Sequence, residues 1–268
     1  RLALTANTTA NSNTAVGKSA LAANTTGTNN TAVGFSALTS NTTANDNVAV
    51  GRCSLKTNTT GASNTAVGQN SLFNNSTAND NTALGHQTLF TNATGANNTA
   101  IGKNALYYNT ASNNTAVGNL AMTNNSTGAN NTAVGQNALT ANTTGTQNVA
   151  IGTNALDANT TASNNTAVGY NVLTANTTGA SNTAVGLLAL NVNTTGAANT
   201  AIGWLALEDT TTGGCNTGVG IEAGEFITTG SNNLLLGRSA GRFNSPSGTI
   251  TTGSNNVVLG SNDITDLY

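Results

Sequence analysis

The sequence predicts an all-β protein, a parallel β-solenoid (β-roll) in which each 17-residue repeat forms one coil. The first observation is that the unit NTAVGxxALxxNTTGxx recurs along the chain, because fixed self-similarity at a short period is the signature of a repeat architecture. The second is that this unit is too short for a helical hairpin and lacks the apolar spacing of an amphipathic helix. The third is its short, β-prone TAV segment, which a small-residue turn follows. The places of the unit are numbered 1 to 17 from the Asn of NTAVG.

A Gly at place 5 sets the register, because it has no exception in fifteen copies of the unit. Such a Gly indicates a positive φ or a backbone approach that leaves no room for a Cβ. Successive copies are 17 residues apart, except for one step of 16 and a last step of 23. Arg1 falls at place 6, so we expect the chain to be a piece of a longer protein. The fifteen residues are Gly17, Gly34, Gly51, Gly68, Gly85, Gly102, Gly118, Gly135, Gly152, Gly169, Gly186, Gly203, Gly220, Gly237 and Gly260.

The other places have their own expected roles. Places 2 to 4 predict one strand, and the Ala-Leu pair at places 8 and 9 predicts a second, with the side chains of places 4 and 9 in the core. Place 2 shares the face of place 4 and is expected to be partly buried, whereas Ala at place 3 faces the other way under close packing. Asn at places 1 and 12, and Thr at places 13 and 14, predict hydrogen-bonded ladders from coil to coil.

The predicted core is thin, since each coil supplies about one Val and one Leu against a backbone-ordering cost of about 1–2 kcal/mol per residue. The uniformly small Ala surface at place 3 is typical of close packing between chains. Several copies side by side would bury it. We therefore expect a homo-oligomer, most simply a trimer.

The last coils depart from the unit. Gly224 and Gly241 replace Leu at place 9, while Leu234–Leu236 and Val257–Leu259 fill places 2 to 4. The bulk of the core moves from place 9 to places 2 and 3, which a change of cross-section would require. We predict regular repeats over 1–219, and modified terminal coils with a transition toward a further C-terminal region over 220–268.

Two families share features with these residues. The unit NTAVGxxAL resembles the head repeats of trimeric autotransporter adhesins, which carry SxAIG-like turns in shorter repeats. The pattern NTTGxxNTAxG, with the endings GIEAGEFITTGSNNLLLGRSAGR and LGSNDITDLY, resembles phage tail-fibre and surface-fibre shafts upstream of an endosialidase-type intramolecular chaperone. These resemblances imply a left-handed homotrimer that is part of a virion tail fibre or lies outside the cell, at its surface.

Catalysis is not expected, and neither a cofactor nor a metal site is predicted. His86, the only His, falls at variable place 6 and is expected to be a surface residue. Glu222 and Glu225 share one coil, but a glycosidase needs two carboxyl groups flanking a bond in a cleft, which a convex solenoid does not offer. The Asp in every coil that calcium-binding solenoids carry is missing.

Composition also restricts the partners. A net charge of −2 gives no basic surface for nucleic acid, and no run of 18 apolar residues is present for membrane insertion. Cys53 and Cys215 are expected to be free and exposed thiols, because stacking keeps them many coils apart.

The N-x-T sequon recurs at place 12, but we interpret it as a laddered turn rather than a glycan acceptor. The Asn residues concerned are Asn7, Asn24, Asn41, Asn58, Asn75, Asn92, Asn125, Asn142, Asn159, Asn176 and Asn193.

Aromatic residues supply the candidate binding surface. Phe73, Phe90 and Tyr107 occupy place 10 in three successive coils and are expected to stack, with Tyr108 beside them. Tyr170 and Trp204 both stand at place 6. An exposed aromatic stripe binds sugars or a partner, whereas a covered one fills a coil or a groove between subunits.

Two function classes follow. The first is a structural fibre shaft that projects a receptor-binding or adhesive tip from a virion or cell surface, without catalysis. The alternative is a surface-binding solenoid for a host receptor, a glycan or ice. Ice binding needs a flat outward Thr array, and the adjacent Thr of places 13 and 14 do not predict a T-x-T row, because neighbours in a strand point to opposite sides.

Overall fold

The computed structural model describes residues 2–243, 245 and 247–261, and the chain forms two compact units, Arg1–Asn131 and Thr132–Tyr268. Each unit is a β-solenoid in which every repeat contributes one three-residue strand. The first unit contains β1 (Thr14–Val16), β2 (Thr31–Val33), β3 (Val48–Val50), β4 (Thr65–Val67), β5 (Thr82–Leu84), β6 (Thr99–Ile101) and β7 (Thr115–Val117). The second contains β8 (Thr132–Val134), β9 (Val149–Ile151), β10 (Thr166–Val168), β11 (Thr183–Val185), β12 (Thr200–Ile202), β13 (Thr217–Val219), β14 (Leu234–Leu236) and β15 (Val257–Leu259). Among the described residues there is no helix, and therefore none that could cross a membrane.

The strands within each unit pair in parallel with their neighbours in sequence, and each place pairs with the same place of the next coil. Val50 of β3, for example, pairs with Val67 of β4, and Val168 of β10 pairs with Val185 of β11. This register confirms the predicted parallel solenoid with one coil per repeat. Its consequence is that side chains at one place form a continuous row along each unit.

The second predicted strand, at places 8 and 9, is wrong. The chain turns there, and the large residue at place 9 has a φ of 46° to 55° in every coil from Leu4 to Leu207. Places 7 and 17 also have positive φ, and they are rich in Asn, Asp and Ser, of which Asn and Asp tolerate the left-handed region better than most residues. Leu at place 9 has no such preference, so burial of its side chain must hold it in this conformation.

The predicted orientation of the strand is wrong for places 3 and 4. The side chain of place 3 points into the coil, and that of place 4 points outward. Ala at place 3 is fully buried, as at Ala49 and Ala66, and it packs inside the coil with the fully buried Leu of place 9. The side chains of places 2 and 4 both point outward and are half-buried or exposed, with Val16 at 58% exposure and Leu84 at 46%. The residue packed over place 3 is therefore the chain's own Leu, and place 3 offers no surface to another chain.

Asn ladders fill much of the interior, as predicted. At place 12, Asn58 Nδ2 donates to Asn41 Oδ1 at 3.1 Å and to the Gly61 carbonyl at 2.8 Å. At place 1, Asn64 Oδ1 accepts from the backbone N–H of Asn81 at 3.1 Å and from its Nδ2 at 3.2 Å. Each amide thus links two coils while its side chain is removed from water.

Burial settles the interpretation of the sequons. The Asn residues that begin them from Asn24 to Asn193 are fully buried, so the folded chain presents their amides to neighbouring coils rather than to a glycan-transferring enzyme. The Thr of place 13 joins the ladder differently from the prediction. Its hydroxyl donates to the backbone carbonyl of the next coil, as from Thr25 to Thr42 at 3.0 Å. The Thr of place 14, such as Thr26 and Thr43, is exposed.

Both reasons predicted for the Gly at place 5 are confirmed. From Gly17 to Gly237 its φ lies between 101° and 145°, a region that side chains of L-residues rarely adopt. A Cβ built on Gly51 would lie 2.5 Å from the carbonyl oxygen of Gly68 in the next coil. Coils therefore approach so closely at this corner that any side chain would push them apart.

The terminal coils keep the same architecture. Leu235 and Val258 at place 3 are buried like the Ala of earlier coils, and β13, β14 and β15 pair in register. A Cβ on Gly224 would lie 3.3 Å from Leu235 Cδ1, so Leu235 fills the space that Leu occupies at place 9 elsewhere. Equal burial at place 3 before and after residue 220 argues against the predicted change of cross-section. The end of the predicted 220–268 segment lies outside the described residues.

Candidate functional site

The aromatic residues predicted to stack do so in the first unit. The ring centroids of Phe73 and Phe90 lie 5.1 Å apart with an interplanar angle of 19°, and those of Phe90 and Tyr107 lie 5.0 Å apart at 9°. Tyr108 meets Tyr107 edge-on, with centroids 4.6 Å apart at 72°. The in-register strands bring these rings together, because place 10 repeats one strand spacing further on in each coil.

The stacked rings cover one another's faces. Lys56, at place 10 of the preceding coil, places its Nζ 5.1 Å from the Phe73 centroid and so caps that end of the ladder. Both faces of Phe73 and Phe90 are thereby occupied, and the three ladder rings are half-buried. A sugar stacks on a free ring face, and Tyr108, at 52% exposure, is the exposed member of this group. The geometry favours a structural role for the ladder itself.

The ladder ends at the shortened coil. Tyr107 and Tyr108 directly precede Asn109, which lies in the repeat with the 16-residue step. Asn109 Oδ1 accepts from Asn125 Nδ2 at 2.7 Å and from Asn114 Nδ2 at 3.2 Å. Asn109 Nδ2, however, donates to the Ala111 carbonyl and the buried Asn92 Oδ1 has no hydrogen-bond partner among the described residues, so the place-12 ladder is interrupted between Asn92 and Asn109. The aromatic stack thus ends beside the shortened coil of this unit.

A second aromatic group lies on the surface of the second unit, at place 6. Tyr170 and Trp204 are 53% and 47% exposed, and Leu187 and Ile221 occupy the same place in alternate coils at 44% and 45% exposure. We call these four residues the place-6 stripe. The sequence prediction noted Tyr170 and Trp204 but missed the stripe. Four successive large apolar residues at a place that is polar in most other coils were the available signal.

A charged cluster lies in the last coils of the second unit. The Arg242 guanidinium pairs with the carboxylate of Glu222 and lies 3.1 Å from an oxygen of Glu225. It also lies 5.0 Å from the centroid of the Phe226 ring and 5.5 Å from that of Phe243. Arg242 thus joins two coils through ion pairs and through contacts with aromatic rings. Its acidic partners, Glu222 and Glu225, are paired with it.

The pKa values of the carboxyl groups in and beside this cluster are shifted in opposite directions. Burial, with the charges of Asp209 and Glu225, raises the pKa of Glu208. Burial also raises the pKa of Glu225, and Arg242 offsets only part of that effect. At Glu222, burial is outweighed by hydrogen bonds from Ser239 and Arg242 and by the positive charge of Arg242 and Arg238, so the pKa is lowered. The arrangement is that of a local ion-pair network.

The remaining candidate groups lie apart from these surfaces. His86 is exposed, as predicted. Cys215 is exposed, but Cys53 is buried at 6% exposure, contrary to the prediction; both thiols are free. In the described part of the chain, no three His, Cys, Asp or Glu side chains come close enough to hold a metal ion together.

The outward face of the strands, formed by the side chains of places 2 and 4, is a regular surface that runs along each unit. It carries a row of Thr or Val at place 2 and a row of Val, Ile or Leu at place 4. No charged residue stands at places 1 to 5 in any copy of the repeat from Gly17 to Gly260. We call this surface the strand face.

Comparison with models of protein families and with curated proteins finds no match for this chain.

Proposed function

We propose that the chain is a structural segment of a fibre shaft, in which copies of the chain, most simply three, associate through their strand faces. The observation that carries the proposal is the uncharged strand face itself. Its Val, Ile and Leu side chains remain half-buried or exposed in the single chain, whereas the row of Leu at place 9 is fully buried. The continuous row of apolar side chains at place 4 is the kind of exposed apolar feature that marks an interaction site.

The size of the strand face fits this proposal. Seven three-residue strands spaced ~4.8 Å apart, each ~10 Å long, cover roughly 300–400 Å² in one unit. An exposed surface of this size is in the range of the patches that mark interaction sites on monomeric proteins. The interface differs from the one expected from sequence, because the small Ala row that motivated the trimer packs inside each coil.

The shaft would act by geometry. Every coil presents the same edge to the next, so additional coils extend the structure without a new fold. We place the shaft on a virion tail fibre or a cell surface, where it would project a receptor-binding or adhesive tip. The partner that the strand face supports is another copy of the same chain.

The decisive experiment is the mass of the chain in solution by light scattering, which does not depend on molecular shape. Three chains of 26.5 kDa, about 80 kDa together, are expected. Lysines at Val50 and Val67, in the strand face, are expected to reduce the mass to that of one chain with the circular dichroism spectrum unchanged. Lysines at the exposed Thr43 and Thr60 of the same region serve as the matched control. A monomeric native chain, or an oligomer that survives the Val50 and Val67 lysines, would contradict the proposal.

The strand face also favours a second candidate function, ice binding by a monomeric chain. Thr at place 2, as at Thr65 and Thr82, points outward in a regular row beside the row of place 4, although no such array was predicted from places 13 and 14. Flat, uncharged rows with hydroxyl groups at one strand spacing suit an ordered water surface. Thermal hysteresis would support this function only if light scattering gives one chain, because oligomerisation would cover the same face.

A further inference from the structure

The place-6 stripe of the second unit is a local specialisation of the surface. The same place carries polar or charged residues in most other coils, and these are Arg1, Lys18, Arg52, Gln69, His86, Lys103, Asn119, Gln136, Thr153, Arg238 and Ser261. Phe35 is an isolated apolar exception, and Lys18 Nζ lies 5.4 Å from its ring centroid. Because Lys, His and Asn all serve at place 6, folding does not require four successive large apolar residues there.

The stripe runs straight because its coils are in register. β10 pairs with β11 and β11 with β12, place for place, so Tyr170, Leu187 and Trp204 follow one another along the unit. One coil step is a strand spacing, so Tyr170 and Trp204 start about 10 Å apart. Leu187 separates the two rings, unlike the rings of the first unit, which cover one another. Each ring of the stripe is about half exposed.

From this geometry we propose that the place-6 stripe binds a neutral, extended polysaccharide of the β-1,4-linked hexose type. Tyr170 and Trp204 would stack on two sugar rings one disaccharide unit apart, and Leu187 and Ile221 would contact the chain between and beyond them. Sugar rings carry apolar C–H faces that pack on aromatic rings, and in an extended β-1,4 chain alternate residues present the same face. The distance of two coils is comparable to the length of one disaccharide unit.

Polar groups beside the stripe suit an uncharged ligand. Asn137 Nδ2 donates to Asn154 Oδ1 at 3.2 Å, and Asn154 Nδ2 donates to Asn171 Oδ1 at 2.9 Å. Asn171 directly follows Tyr170, and its Nδ2 makes no hydrogen bond within the described residues, so it is available to a sugar hydroxyl. At the other end, the Glu222 carboxylate beside Ile221 is held by Ser239 and Arg242. Because Arg242 and Arg238 lie beside this carboxylate and offset its charge, this end of the stripe does not select for a charged polysaccharide.

The inference goes beyond the fibre shaft and rests on a different surface. The strand face ends before the Gly of place 5, and place 6 lies past that corner of the coil. Failure of one proposal therefore leaves the other intact. The competing occupant of the stripe is a second copy of this chain, which the experiment must separate from a glycan.

Trp204 is the only Trp of the chain, so tryptophan fluorescence reports on the stripe directly. The full chain would be titrated with three soluble probes: cellohexaose, chitohexaose and, as the α-linked comparison, maltohexaose. We expect a saturable blue shift with at least one β-1,4-linked hexamer and none with maltohexaose. Tyr170→Ala leaves the Trp204 reporter in place and is expected to weaken binding at least tenfold. Phe35→Ala, which removes an exposed ring at place 6 of the first unit, outside the stripe, is the matched control and should bind like the native chain.

Three results would overturn the proposal. The first is no saturable change with any of the three hexamers at millimolar concentration. The second is equal binding by the Tyr170→Ala variant and the native chain. The third is a Trp204 emission that shifts with protein concentration alone, together with a lower mass for Trp204→Ala by light scattering, because the stripe would then be a contact between copies.

Discussion

The place-12 ladder can be tested at Asn58, in the interior of the first unit. Asn58 is fully buried and has three side-chain hydrogen bonds. Its Nδ2 donates to Asn41 Oδ1 and to the Gly61 carbonyl, and its Oδ1 accepts from Asn75 Nδ2 at 2.8 Å. Replacement by Ala removes all three bonds without altering the backbone. It also leaves Asn41 Oδ1 and one N–H of Asn75 without a partner in the interior.

The expected loss of stability follows from these contacts. A net hydrogen bond contributes about 0.5–1.5 kcal/mol, and a buried group left unpaired costs about 1–3 kcal/mol. The two effects overlap at Asn41 and Asn75, and the Gly61 carbonyl retains its bond from Asn47 Nδ2 at 3.0 Å. We therefore expect Asn58→Ala to lower the free energy of unfolding by about 3–5 kcal/mol.

Urea denaturation followed by circular dichroism measures this difference, and hydrogen exchange shows whether the loss is centred on the coils next to Asn58. Thr60→Ala is the control, because Thr60 belongs to the same turn but is exposed, and it should change stability by at most about 0.5 kcal/mol. A loss below about 1 kcal/mol for Asn58→Ala would refute the ladder as a main source of stability.

Three further predictions concern the corner Gly, the acidic cluster and the thiols. Gly51→Ala should destabilise the chain by about 2–4 kcal/mol in urea denaturation, and Gly248→Ala, whose Cβ would meet no atom within 4 Å, should cost less. The raised pKa of Glu208 means that the folded state favours its protonated form. Glu208→Gln should therefore raise the thermal midpoint at pH 7, and the gain should vanish as the pH falls below the unfolded pKa of about 4.3. A thiol reagent should label Cys215 in the native chain and Cys53 only after unfolding, so one equivalent should react before denaturant is added.

The solenoid could be predicted from sequence because the repeated residues specify the register in which its coils stack. Identical residues at one place stack only if coils are in register, so the recurrence of Asn and of the corner Gly predicted both the ladders and the close approach of coils. The aromatic ladder of Phe73, Phe90 and Tyr107 followed from the same rule.

The orientation of the strand could not be obtained in that way. Strand alternation puts places 2 and 4 on one face and place 3 on the other, but it does not say which face is inside. Hydrophobicity favoured Val at place 4 over Ala at place 3, and this choice was wrong. The deciding factor is Leu at place 9, whose left-handed backbone turns its side chain onto place 3, where only a small residue fits. Neither periodicity nor composition reveals a left-handed Leu.

In the candidate surfaces too, the stacking of residues could be predicted from sequence, whereas their orientation could not. Stacking of rings in successive coils was predictable, but its consequence, that stacked rings hide their faces, requires the ring planes. The place-6 stripe, in contrast, depends on alternation of aromatic and aliphatic residues, as in Tyr170, Leu187 and Trp204. Attention to aromatic residues alone missed it, because the aliphatic neighbours are what keep the two rings apart.

The residues with a left-handed backbone conformation explain why a solenoid of this kind needs many coils. Up to Leu207, the coils hold non-Gly residues at places 7, 9 and 17 in the left-handed region, at a cost of about 1–2 kcal/mol each, lower for Asn. A coil by itself has no compensation, because its backbone donors alternate between the coil before and the coil after, as Cys53 N–H bonds to Phe35 and Leu55 N–H bonds to Ser71. Stacking on both sides satisfies these groups and buries the Asn amides. The stability of a coil therefore depends on its neighbours, and an end coil lacks half of its partners. A protein built this way gains most stability when many coils follow one another, which is also what a shaft requires.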